Sequence, residues 1–241
     1  MASIQEAFKP DPPSGGYLKP EVKRHFQYVF ARQAARSYLY LCLGIGLIAA
    51  LLPFLLMWRG GYWTHNSISS YYTLDVRSSR DIMVGMLCAV GVFLFLFHGL
   101  SRIENWLLNF AGAAVIAVAL IPMTTSELLH RGFAIIFFLL IGLVAIRYSK
   151  ARIDRIPHER ARRLFKTGYT AAGVAMIALP LSIVALQFTP WGKFEHYMFW
   201  IESVAIWSFS AYWFLKTAEY RLLLRIRWFA HTHEDATDVR K

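Results

Sequence analysis

Apolar residues along this chain gather into six long runs, at residues 37–58, 82–100, 106–123, 132–148, 168–188 and 197–215, with short polar stretches between them. Each run approaches the roughly 20 residues that a helix needs to cross the ~30 Å hydrocarbon core of a bilayer. Backbone in lipid must satisfy its own hydrogen bonds, and runs this long and unbroken do not suit barrel strands. The pattern therefore predicts an all-α fold, a polytopic membrane bundle of about six transmembrane helices. It divides the chain into a cytoplasmic tail with a pre-membrane amphipathic helix at 1–36, the bundle at 37–217, and a cytoplasmic amphipathic helix and tail at 218–241. Pro10, Pro12, Pro13, Gly15 and Gly16 mark a loose tail rather than a cleaved signal, whose apolar stretch would be shorter and nearer the start.

Charge sharpens this picture. The net charge of +11 suggests nucleic acid at first sight. The basic residues, however, crowd alternate connections between the runs. Of 26 Lys and Arg, 21 fall on the side that holds both termini and 5 on the other. That asymmetry points to topology rather than a polyanion partner, and it predicts both ends in the cytoplasm of a protein in the cytoplasmic (inner) membrane. Trp58, Trp63, Trp191 and Trp200 then fall near the outer interface, and Trp106, Tyr148 and Trp213 near the inner one. Cys42 and Cys88 lie within apolar runs and are read as small hydrophobes. Gly85 with Ala89, Ala113 with Ala117, and Ala171 with Ala175 are expected to let helices approach closely. No internal repeat is evident. The basic loop 147–166 and the amphipathic stretch 220–229 are candidate surfaces for a protein partner or an anionic leaflet.

Candidate chemistry collects on the outer side. The first outer loop carries His65, Ser67, Ser69, Ser70, Tyr71 and Tyr72, and Arg80 and Asp81 are expected to open the second helix, where an aspartate complements the helix dipole. The next outer loop brings His130 and Arg131, and the last brings Glu195 and His196. Glu202 lies inside the final apolar run, where an ionisable group defaults to a functional reading unless a salt bridge, here to Arg80 or Arg131, explains it. A pocket follows, with Glu202, Ser69 and His130 as catalytic candidates and Arg80, Asp81 and Tyr72 as ligand-binding candidates. His65, His130 and His196 come one from each loop, so a zinc site is a further option, although no HExxH spacing supports it. A serine nucleophile at Ser67, Ser69 or Ser70 is another, without a G-x-S-x-G motif.

SISSYY at 67–72, RDIMVG at 80–85 and FWIES at 199–203 together resemble a family of uncharacterised six-helix bacterial membrane proteins, over most of residues 37–219. The resemblance implies fold and membrane location, and no activity. The layout is more loosely similar to membrane hydrolases of the alkaline ceramidase kind, which bind zinc near one face. This chain lacks their paired histidines in the last helix. The expected function is an outward-facing polar pocket that binds a lipid or other amphiphile, with processing of that ligand left open by the sequence. Alternatives are a non-enzymatic scaffold or accessory subunit and, behind it, a small-solute transporter.

Overall fold

Helices form where the apolar runs lie, and polar residues outside those runs fix their ends. The computed structural model describes residues 20–61, 66–73, 77–186, 188–190 and 195–238. Among them are six α-helices and no strand: α1 Pro20–Gly60, α2 Arg77–Leu96, α3 Arg102–Leu120, α4 Glu127–Leu143, α5 Glu159–Leu186 and α6 Tyr197–Asp238. The chain divides into two compact units, Met1–Ser37 and Tyr38–Lys241, and the helical bundle lies in the second.

Capping accounts for several boundaries. Ser101 caps α3 by accepting from the Glu104 amide at 3.1 Å, while Glu104 Oε2 accepts from the Leu100 amide at 2.7 Å. Leu100 thus lies in the turn before α3, although the apolar run had extended the second span to it. Ser126 likewise caps α4, accepting from Leu129 at 3.4 Å. At its far end α4 passes into a π-helical turn, Val144–Tyr148, and then a 3-10 segment, Ser149–Arg155. α2 begins at Arg77, so Asp81 sits in its second turn and does not cap it. The polar stretch at 77–81 contains no glycine or proline to stop the helix from extending upstream of its apolar residues.

Five of these helices are long and apolar enough to cross a membrane: Gln33–Gly60 within α1, Ser79–Leu96 within α2, Arg102–Leu120, Glu127–Tyr148 and Glu159–Leu186. α6 falls outside that group, and its packing supplies the reason. Ser210 Oγ donates to Gly46 O at 2.7 Å and Trp207 Nε1 to Ala50 O at 3.2 Å, both on α1. The Trp213 ring lies 5.0 Å from Phe97 beside α2, Phe209 lies 5.3 Å from Phe137 on α4, and Tyr212 lies 5.6 Å from Tyr169 on α5. A helix surrounded by protein tolerates serines and acids that lipid would not. Trp213, expected at the inner interface, is fully buried for the same reason. Lys216, counted with the interfacial charges, is buried too, and Leu222 and Leu223, expected on a leaflet, pack against the core. Arg225, Arg227 and Phe229 lie outside the described side chains.

Close helix contacts occur at glycines other than the small pairs first singled out. A β-carbon on Gly85 would meet nothing within 4 Å, and Ala113 and Ala171 are exposed. Instead α2 meets α3 at Gly91 and Gly112, where a β-carbon on either would come 2.8 Å from the other's carbonyl oxygen. α4 meets α5 in the same way at Gly142 and Gly173, at 2.9 Å. The two crossings share further detail. Ile116 and Ile177 each stand four residues after the second glycine and over the first, and Phe95 and Ile146 each stand four residues after the first and over the second. The surrounding sequences, AGAAVIA at 111–117 and AGVAMIA at 172–178, match at five of seven positions. The bundle therefore contains two related helical hairpins, α2 with α3 and α4 with α5. Only this short stretch and the glycine geometry preserve the relation, so a chain-wide reading of apolar residues passes over it.

Candidate functional site

Three serines and two tyrosines in a loop of eight residues need local hydrogen bonds, and residues 66–73 make them. Ser70 Oγ donates to Ser67 O at 2.6 Å and Ser67 Oγ accepts from the Ser70 amide at 3.2 Å, a side-chain turn that leads into the 3-10 segment Ser69–Thr73. Tyr71 is fully buried, its hydroxyl donating to Gly61 O at 2.8 Å and its ring 6.2 Å from Phe199. The Asn66 carbonyl accepts from the Phe199 amide at 2.9 Å, which satisfies a free donor in the first turn of α6.

Glu202 fastens the same loop. Its Oε2 accepts from the Ile68 amide at 2.6 Å, and the Ser69 amide also bonds to the carboxylate. Neither expected arginine pairs with it. Arg131 is bound to Glu127 at 2.6 Å, and Arg80 lies 3.7 Å from Asp81 and 6.0 Å from the centroid of Tyr72. The half-buried acid is thus held by backbone donation, in charge-assisted bonds stronger than neutral pairs. Ser203 Oγ, next along α6, and Ser79 Oγ are buried with no hydrogen-bond partner.

His130 stands in the first turns of α4 and is 3% exposed. Its Nδ1 lies 2.7 Å from Ile121 O and its Nε2 3.1 Å from Ser69 Oγ. A carbonyl oxygen only accepts, so in the neutral ring Nδ1 carries the hydrogen, Nε2 presents the lone pair, and Ser69 Oγ donates to it. Three of the sequence-predicted residues, Ser69, His130 and Glu202, therefore meet at one end of the bundle. Tyr72, Arg80 and Asp81 stand at the rim, with both charged side chains largely exposed. The Ile121 carbonyl was missed because no residue letter announces a backbone acceptor.

Both ring nitrogens of His130 are engaged by protein atoms, and among the described residues no three His, Cys, Asp or Glu side chains converge. His196 is buried with φ 60° just before α6, and His65 lies outside the described residues.

A second polar network, at the opposite end of the bundle, also escaped the sequence. Tyr169 on α5 donates to Glu219 Oε2 on α6 at 2.6 Å. Lys216 Nζ lies 3.8 Å from that same oxygen and 5.3 Å from the Tyr169 ring centroid. Nearby, Ser149 Oγ and Tyr212 OH share a hydrogen bond of 2.9 Å. Tyrosines at helical spacing read as apolar filler, which hid the network. In the basic stretch beyond the π turn, Lys166 binds Asp154 at 2.8 Å and holds that carboxyl below its ordinary range, and Arg163 binds Glu159.

No family model matches this chain, and no curated protein or solved structure matches it either.

Proposed function

We propose that this is a multi-pass protein of the cytoplasmic membrane that crosses the bilayer six times, with both ends in the cytoplasm, and that its loop-bearing outer end binds the headgroup of a lipid or other amphiphile. The Lys and Arg asymmetry supports the orientation, and the protein-facing surfaces of α6 support counting it as a span despite its polar residues. One observation carries the binding reading: Ser69, His130 and Glu202, far apart in sequence, are brought together at one end of the bundle.

The surroundings suit an amphiphile. Arg80 and Tyr72 present a cation and a ring at the rim, fit for an anionic headgroup. Leu128 and Leu129, next to His130, are 83% and 51% exposed and offer apolar contact for a chain. The experiment is mass spectrometry of lipids that co-purify with the wild type and with Arg80→Ala. The reading expects a bound amphiphile that Arg80→Ala depletes several-fold. A wild type carrying only bulk membrane lipid, in bulk proportions, would remove it.

A further inference from the structure

We propose that Ser69 is a covalent nucleophile, with His130 as its base, toward the ester carbonyl of an amphiphile. The proposal deepens the binding reading above and rests on it for the substrate class.

Geometry is the first support. The Ile121 carbonyl fixes the imidazole so that its basic nitrogen faces Ser69 Oγ at 3.1 Å, which is the relation of nucleophile, base and orienting group that serine acyl transfer requires. The second support is immobility. Ser69 opens a 3-10 turn, and the Ile68 amide just before it is held by Glu202, so the hydroxyl is set in place before a substrate arrives. Glu202 is here a positioning residue. Third, the base is buried while Ser69 itself is half-buried, so solvent is kept from the imidazole and the hydroxyl stays within reach.

The internal repeat adds an independent comparison. Counting twelve residues back from the crossing glycine reaches His130 from Gly142 in the second hairpin and Ser79 from Gly91 in the first. One residue further on, both hairpins carry arginine, Arg131 and Arg80. The shared architecture accommodates a small side chain at the equivalent position. Helix packing alone therefore does not require the imidazole.

The chemistry balances with water as the only co-reactant. Ser69 Oγ adds to the ester carbonyl carbon as its proton passes to His130 Nε2. The ester C–O bond then breaks, and that proton leaves with the alcohol. Water next adds to the acyl-serine, giving its proton to Nε2. The acyl–Oγ bond breaks, the carboxylic acid departs, and Ser69 recovers its proton.

The test uses purified full-length protein in detergent, a fluorophosphonate ester as probe, and intact-mass and peptide mass spectrometry. The wild type is expected to gain one phosphonate on Ser69. Ser69→Ala should gain none, and His130→Gln, which keeps a polar side chain in place, should label about 100-fold more slowly. Folding of each variant is checked by a cooperative thermal transition. A folded wild type that takes no phosphonate, takes it elsewhere, or labels as fast with glutamine at 130 overturns the proposal. Co-purified lipid separates the two claims. Bound amphiphile without labelling sinks the nucleophile and leaves binding, whereas labelling at Ser69 without bound amphiphile supports the nucleophile and removes the amphiphile.

Discussion

Inside a helix bundle a carboxylate must find donors, and the two available kinds respond differently to mutation. Glu202 takes backbone amides of residues 68 and 69 rather than an arginine. Glutamine at 202 keeps an acceptor oxygen and loses the charge, so Glu202→Gln is expected to cost about 1–2 kcal/mol, and Arg131→Ala much less. Thermal unfolding in detergent checks both. Equal losses would instead indicate an ion pair. At the opposite end, Tyr169→Phe removes the 2.6 Å donor to Glu219 while keeping the ring. One carboxylate oxygen, Oε1, already lacks a partner, so the loss is expected near 2 kcal/mol by the same measurement. The contrast shows what residue letters convey. Glu202 stood out because an acid interrupts an apolar run, but its partners did not, since backbone amides belong to every residue. Tyr169 and Tyr212 gave no such interruption, and the network around Glu219 stayed hidden.

Hydropathy located the helices, whereas their packing depends on which small residues face one another. A β-carbon on Gly91 or Gly142 would press on the backbone of the next helix, whereas one on Gly85 would meet nothing within 4 Å. Alanine favours a helix by about 0.5–1 kcal/mol over glycine, while forcing a methyl group into a tight contact costs about 1–3 kcal/mol. Gly91→Ala and Gly142→Ala should therefore destabilise the bundle by about 1–2 kcal/mol each, and Gly85→Ala should stabilise it slightly. If all three shift the midpoint alike, the crossings are not where the helices are tightest. The runs of residues 82–100, 106–123, 132–148 and 168–188 contained the glycines that matter, but i, i+4 spacing of small residues does not say which helical face they occupy. Outside the bundle core, Asp154 tests a connection between elements. Lys166 lowers its pKa below the ordinary value of about 4, so the pair contributes above that value and is lost as pH falls through the lowered one. The stability difference between wild type and Asp154→Asn should be present at pH 6 and vanish near pH 2.

At the scale of the whole molecule, parity decides where the ends lie. Six crossings put the termini on one side, and five put them on opposite sides. The question rests on α6, whose composition is the least apolar of the helices and whose surroundings explain why. Five helices need lipid-compatible surfaces, but α6 has Phe97, Phe137, Tyr169 and the backbone of α1 around it, so Ser210, Lys216 and the Oε2 of Glu219 find partners within the protein. Burial of Lys216 removes one residue from the count of topogenic charges and leaves the imbalance of 21 against 5 essentially intact. A green fluorescent reporter fused after Lys241 is accordingly expected to fluoresce, and an alkaline phosphatase fused there to stay inactive. The two reporters should exchange behaviour when inserted after Thr124, between α3 and α4. An active phosphatase at Lys241 would mean that α6 does not cross, and Glu202 and Glu219 would then lie on one side of the membrane. The loop at 66–73 would still bind Glu202, but the polar centre would lose its outer-leaflet address, and with it the lipid headgroups proposed to reach it.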